Sequence, residues 1–252
     1  LPVRGMYFAS HFHNFYHDAP VPKVERYVEE LALWGINSLM VWYDMHHFQG
    51  IEDPAAQKMI ERLRAVMRAG KAAGMNTGLC LLANEAYANS PEELRSDPNT
   101  GRAHYRVELC PNKPGGKEQM LQWFDEEFAA FEDVGIDHVW VWPYDQGGCA
   151  CEKCKPWGAN GFLTMGEAIA GKLRERCPDA TVILSTWLFD FKEDEGEWRG
   201  LAEAFRQRPE WLDYILADGH DDWPRYPLEN PIPGGLPLLS FPEISMWHMF
   251  PW

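Results

Sequence analysis

Val134-Gly135-Ile136-Asp137-His138-Val139-Trp140-Val141-Trp142-Pro143-Tyr144-Asp145-Gln146-Gly147-Gly148 is the stretch on which the fold turns. A glycine stops a helix, a β-branched and aromatic run from Asp137 to Trp142 begins almost at once, and Pro143 ends it. A run apolar on both faces, entered from a helix through so short a turn, belongs to a parallel sheet covered by helices. It delivers one carboxylate, Asp145, into a Gly-rich, aromatic mouth. Parallel-sheet proteins build their sites at this carboxyl end of the strands.

The same punctuation recurs on either side. Leu33-Trp34-Gly35-Ile36-Asn37 and Ala73-Gly74-Met75-Asn76 also close a helix on a glycine and open a strand. The pattern predicts strands at Met6 to Ala9, Ile36 to Trp42, Asn76 to Leu82, Asp137 to Trp142, Thr181 to Trp187, Leu212 to Ala217 and Leu236 to Phe241. Helices are predicted from Val21 to Leu33, Ala55 to Ala73, Lys117 to Asp133, Leu163 to Arg176 and Gly196 to Arg206. Val24, Tyr27, Val28 and Leu31 share a face of the first, and Leu121, Phe124, Phe128 and Phe131 form the stripe of the third. The predicted fold class is α/β, a (β/α)8 TIM-like barrel incomplete at its C-terminus, with seven strands and no room for an eighth. The 252 residues are close to the ~250 of a typical barrel. We expect residues 1–252 to be a single catalytic barrel domain and a piece of a longer multidomain protein. The missing part of the barrel and any flanking domains would lie outside it. The long insertion at 84–116 falls on the catalytic side, with Tyr105 to Leu109 as a small added strand.

Composition narrows the function. With 46% apolar residues the chain can bury a large core. Its net charge of −15 carries no basic footprint for nucleic acid and disfavours an anionic membrane surface. No stretch approaches the ~20 apolar residues of a membrane span. No Gly-x-Gly-x-x-Gly follows the first strand and no phosphate-cradling loop with Lys-Ser/Thr occurs, so nucleotide binding has little support. Six cysteines are too few to build a fold of this length on disulfides. The sequence opens Leu1-Pro2-Val3, which leaves localisation open between cytoplasm and export.

Residues just past the strands converge in such a barrel. They are His11, His13 and Asn14; Tyr43, Asp44, His46 and His47; Asn84 and Glu85; Tyr144, Asp145 and Gln146; Trp187 and Asp190; Asp218, His220, Asp221 and Asp222; and Glu243. Asp145 and Glu243 follow strands on opposite sides of the barrel and are the candidate catalytic pair, Asp145 as acid or acid/base and Glu243 as nucleophile or base. Glu85 and Asp44 are reserves for the acid, and Glu243 could instead hold an arginine in the core. His11, His13, Tyr43, Asp44, His46, Glu85, Trp142, Tyr144, Trp187, Asp218 and His220 are candidate substrate contacts. Most large aromatics are packing, but twelve tryptophans, several near strand ends, also suit stacking on sugar faces. Trp157 and Trp247 are further candidates.

Two metal readings compete. The histidines with Asp44 could hold a catalytic ion with three ligands and an open position, although their spacing is not diagnostic. Cys149-x-Cys151-x-x-Cys154 is more specific: with Cys110 from the insertion it supplies four corners of a structural zinc site. One disulfide plus a spare thiol is the alternative. No cofactor is expected for the chemistry itself.

Arg4-Gly5 before the first strand, followed by an aromatic, His-rich loop, resembles the opening of the β-N-acetylhexosaminidase barrel. Related α-glucuronidases and bacterial glycoside hydrolases look similar, and some carry a Cys-rich segment like the one after Asp145-Gln146-Gly147-Gly148. The resemblance implies a bacterial glycosidase acting on a carbohydrate. The hexosaminidase pattern has Asp-Glu where this chain has Asp145-Gln146, and Gln cannot carry a catalytic proton. The alternatives are therefore a catalytically silent glycan-binding barrel and a metal-dependent hydrolase or isomerase of a small polar substrate.

Overall fold

The computed structural model of the chain describes residues 3–9, 14–98, 105–144, 147–190, 195–218 and 226–241. Seven strands stand side by side in chain order: β1 (Gly5–Phe8), β2 (Ser38–Trp42), β3 (Asn76–Leu82), β4 (His138–Trp142), β5 (Thr181–Ser185), β6 (Tyr214–Asp218) and β7 (Leu238–Phe241). Every neighbouring pair is parallel. The helices between them are α1 (Phe15–Asp18), α2 (Val21–Leu33), α3 (Pro54–Ala72), α4 (Gly116–Phe131), α5 (Gly161–Arg176), α6 (Glu197–Ala204) and α7 (Tyr226–Glu229). The sheet is open, since among the described residues nothing pairs β1 with β7. It is nevertheless curled: the rings of Tyr7 on β1 and Phe241 on β7 approach to 6.3 Å between centroids. This is the incomplete (β/α)8 barrel that the repeating helix–glycine–strand unit predicts.

Alternation along the strands sorts their side chains into two cores. Leu39, Val41, Leu79, Leu81, Val139, Val141, Val182 and Leu184 pack outward against the buried stripes of the helices. Met40, Trp42, Cys80, Leu82, Trp140, Trp142, Ile183 and Leu216 pack on the concave side, joined by Tyr7, Trp187 and Phe241. The glycines that close α2, α3 and α4 do what the sequence requires of them. Gly35, Gly74 and Gly135 have φ of 87°, 78° and 94°, a left-handed region costly for other residues. The chain can then fold back so that Ile36 N–H reaches Leu31 O at 3.0 Å and Met75 N–H reaches Gly70 O at 2.9 Å.

Four local expectations change. β5 ends at Ser185 rather than Trp187, because the chain turns there and Trp187 N–H donates to Ser185 Oγ at 3.2 Å. The segment from Tyr105 to Leu109 makes a single antiparallel bridge, Arg95 to Leu109, rather than a strand. The stripe of α4 keeps Phe124, Phe128 and Phe131 but begins at the fully buried Met120, with Leu121 only partly buried, and it includes Glu127. The short α1 is unanticipated: Asn14 caps it by accepting from Tyr16 N–H at 3.0 Å and donating back to Ala9 O at 2.8 Å. No helix among the described residues is long and apolar enough to cross a membrane.

Candidate functional site

The concave face is aromatic from floor to rim. Trp140 and Trp142 of β4 lie 4.8 Å apart between ring centroids, Trp142 meets Trp187 at 5.2 Å, and Tyr7 closes on Trp140 edge-first at 5.5 Å. Phe241, the last residue of β7, meets Trp142, the last residue of β4, at 5.7 Å with the rings perpendicular. The ends of β4 and β7 therefore face one another across the curl. Trp140 and Trp142 are 5% and 3% exposed, yet among the described residues neither indole N–H has an acceptor. Leaving a buried donor unpaired costs about 1–3 kcal/mol, so two of them side by side are open to a hydrogen-bond acceptor from outside the described residues.

A second polar group gathers where β2 and β3 end. Trp42 points its indole N–H to Glu85 Oε1 at 3.2 Å, and the same oxygen accepts from Met45 N–H at 2.7 Å. Glu85 Oε2 accepts from Leu82 N–H at 3.0 Å. Burial and then the nearby charge of Asp44 push the Glu85 carboxyl up to about 8, against the pull of these three donors. Asp44 is 1% exposed and holds a left-handed φ of 57°. Its Oδ1 contacts His46 Nδ1, and its Oδ2 lies 3.6 Å from His47 Nε2. Burial lowers His46 to about 4, which leaves the ring neutral at pH 7. The ring stacks on Tyr105 of the insertion, 3.3 Å between centroids and 10° from parallel.

The cysteines come together as the spacing suggests. The sulfurs of Cys110, Cys149, Cys151 and Cys154 all lie within 4.8 Å of one another, and Cys110 Sγ is 3.8 Å from both Cys151 Sγ and Cys154 Sγ. A tetrahedral zinc with Zn–S near 2.3 Å has S···S edges of about 3.8 Å, so the donor set fits one ion. All six cysteines are free in this structure, with no disulfide among them. Hydrogen bonds from Cys149 and Cys154 pull Cys110 down to about 2, while sharing that one thiolate pushes Cys149 up to about 12 and Cys154 up as well. Four adjacent sulfurs cannot all ionise without a cation. Cys80 belongs to the concave core, and Cys177 ends α5, both away from the cluster.

Asn84, expected only as a rim residue, locks this cluster to β3. It is fully buried, its Oδ1 accepting from Gly148 N–H at 3.0 Å and its Nδ2 donating to Leu109 O at 3.1 Å and Gly148 O at 3.0 Å. Leu109 and Gly148 immediately precede Cys110 and Cys149. Two other residues passed over in the sequence are as deeply placed. Glu197, at the start of α6, accepts from Tyr144 Oη–H at 2.5 Å, Gly158 N–H at 2.7 Å and Asp190 N–H at 3.0 Å. Glu127 lies under Tyr43 and Tyr87, its carboxyl raised by burial and by Glu85 and Asp44. A carboxylate between Phe124 and Phe128 on one helical stripe was the available signal for Glu127; nothing local announced Glu197.

Of the expected substrate contacts, Trp142 and Trp187 line the concave face, and Asp44, His46 and Glu85 cluster at its β2–β3 edge. Tyr43 and Tyr144 lie in the outer core instead, fully buried, Tyr43 stacked on Phe48 at 5.1 Å. Parity explains Tyr43, since Trp42 points inward and the next residue must point out. Trp157 is likewise buried, donating to Pro143 O at 2.7 Å. Asp218 closes β6 opposite Phe241. His11, His13, Asp145, Gln146, His220, Asp221, Asp222, Glu243 and Trp247 lie outside the described residues.

No protein-family model matches the chain, and no curated protein matches it in sequence. Solved structures do match. A Glycoside Hydrolase Family 20 β-N-acetylglucosaminidase aligns over 94% of this chain and 52% of its own, at 11% identity and a TM-score of 0.55. The β-N-acetylhexosaminidase of Bacteroides fragilis aligns over 87% and 46%, at 11% identity and a TM-score of 0.54. The exo-β-1,4-mannosidase Op5Man5 of an Opitutaceae bacterium aligns over 85% and 37%, at 14% identity and a TM-score of 0.52. The chain thus spans about half or less of these three proteins. It has a glycoside-hydrolase-like fold, resembling several bacterial families that include the β-N-acetylhexosaminidases.

Proposed function

We propose that this chain is the catalytic barrel of a glycoside hydrolase, part of a longer bacterial protein, that cleaves an oligo- or polysaccharide with Asp145 and Glu243. The observation that carries the reading is the contact of Trp142 with Phe241, which brings the ends of β4 and β7 together on the concave face. Asp145 and Glu243 follow those two strand ends in the sequence. Carboxyls emerging there would flank one bond, Asp145 protonating the leaving oxygen and Glu243 attacking the anomeric carbon or activating water. The unpaired indole N–H groups of Trp140 and Trp142 suit sugar hydroxyl oxygens, and the half-buried Trp187 suits stacking on a sugar face. His11, His13, Asp218 and His220 complete the rim in this reading, with Asp44, His46 and Glu85 at its β2–β3 edge. Tyr144 acts as a positioning residue, fixing through Glu197 the turn that leads into Asp145. The four cysteines hold a structural zinc that ties the insertion to the loop after β4.

The test is hydrolysis of a panel of glycosides and natural oligosaccharides by the full-length protein, with D145N and E243Q alongside. Turnover that both substitutions abolish while sugar binding persists supports the proposal. Binding without turnover on any substrate points to a silent glycan-binding barrel, and activity indifferent to both substitutions overturns the assignment.

A further inference from the structure

The turn Asp44-Met45-His46-His47 at the carboxyl end of β2 gathers one carboxylate and two imidazoles whose ligand atoms lie within 4.8 Å of one another. We propose that this turn is a second metal site, holding a zinc-class divalent cation through Asp44, His46 and His47 with one position open to an exogenous ligand. The inference shares Asp44 and His46 with the rim of the proposed sugar site but requires no turnover, and it stands apart from the cysteine site.

Four observations carry it. The spacing is close to what one ion needs: with Zn–N and Zn–O bonds of about 2.0–2.2 Å, tetrahedral edges are about 3.4 Å. Asp44 Oδ2 stands 3.6 Å from His47 Nε2 on one side, and Asp44 Oδ1 touches His46 Nδ1 on the other. The Asp44–His46 pair is now in direct contact, closer than two ligands of one ion stand, so the ion would part that pair and take the place of its hydrogen bond.

Next, the turn is rigid before any ion arrives, the condition for a built site. Glu85 fixes Met45 N–H at 2.7 Å, Phe48 N–H returns to Met45 O at 2.9 Å, and Ala88 N–H binds Phe48 O at 2.9 Å. Tyr105 lies flat on the His46 ring.

The surroundings also carry an excess of buried acid. Glu85 and Glu127 are at most 2% exposed, and among the described residues no lysine or arginine pairs with either. That leaves no side-chain cation there to compete with an ion at Asp44.

Finally, the site is reachable. His47 is a third exposed and, with Trp42 and Phe48, lines a cleft of ≈ 730 Å³, so the fourth position can take water or a ligand oxygen. Loading the ion at His46 Nδ1 moves the ring proton from Nδ1 to Nε2, so the imidazole stays neutral and Asp44 stays ionised; no bond to carbon changes and no electron is transferred.

The experiment is a metal count on the full-length protein after saturation with Zn²⁺ and dialysis, repeated with Co²⁺ to read ligand type from the absorption spectrum. We expect two equivalents in the wild type, one of them with thiolate-to-cobalt charge transfer. The double variant His46→Ala/His47→Ala should lose one equivalent and keep the thiolate signature. Should the double variant fail to fold, Asp44→Asn read by the same cobalt spectrum serves in its place. A single, all-thiolate equivalent in the wild type overturns the proposal, as does a second equivalent that survives the variants. Neither result depends on turnover, so failure here leaves the glycosidase reading standing, and failure of that reading leaves this one.

Discussion

Replacing Asn84 by Asp tests whether one buried amide holds the two cysteine-bearing segments together. The substitution keeps side-chain volume and so opens no cavity. Oδ1 can still accept from Gly148 N–H, but the two N–H bonds to Leu109 O and Gly148 O are lost. A protonated Asp restores at most one of them, and an ionised one sets a carboxylate against two carbonyls in a fully buried position. With each buried group left unpaired costing about 1–3 kcal/mol, the expected loss is about 2–5 kcal/mol. For a chain of this size about 1 kcal/mol moves the melting temperature by about 2–4 °C, so Tm should fall by about 4–20 °C. Thermal unfolding followed by circular dichroism, with and without excess zinc, measures it. The same variant should surrender zinc to a chelator faster than wild type, because Leu109 and Gly148 lead directly into Cys110 and Cys149. An unchanged Tm together with unchanged zinc release would refute the argument that Asn84 clamps the loops.

Three further outcomes follow from the same structure. The purified protein should carry zinc that Cys110→Ser or Cys154→Ser removes, read by elemental analysis; zinc content indifferent to both would show that the sulfurs do not bind it. Glu85 should make stability pH-dependent. Its carboxyl is raised to about 8, so between its ordinary 4.5 and 8 the folded protein holds a proton that the unfolded chain releases. Stability therefore falls as pH rises through that window, by up to about 1.4 kcal/mol for each pH unit, and levels off above it. His46, lowered to about 4, works oppositely: stability is lost as pH falls from 6.5 toward 4. Urea midpoints measured in chelator from pH 4.5 to 9 should show the difference between Glu85→Gln and wild type growing up to about pH 8, and a constant difference contradicts the reasoning.

Much of this architecture is legible in the order of residues. Gly35, Gly74 and Gly135 announce each return to the sheet because only glycine takes that backbone without strain, and the runs between helices are too evenly apolar for an antiparallel sheet. The Cys149-x-Cys151-x-x-Cys154 spacing points to a ligand set for the same local reason. The concave assignment of Trp142 also follows from sequence, since alternation is a local rule. Tyr43 obeys the same rule in reverse, and parity counted from Trp42 would have put it outside.

What only the tertiary structure decided is who meets whom across long separations. Cys110 joins its partners some forty residues on, Asn84 reaches Gly148 across 64 positions, and Tyr144 finds Glu197 across 53. Each of these bonds depends on the curl of a sheet that no short segment can adopt alone. The same holds for the functional carboxyls: the sequence determines that Asp145 and Glu243 follow strands, while the meeting of Trp142 with Phe241 depends on how far that sheet bends. Local preference sets the elements because backbone sterics and side-chain periodicity act within a few residues. The site arises later, from packing between elements, where burial makes each distant polar contact worth keeping.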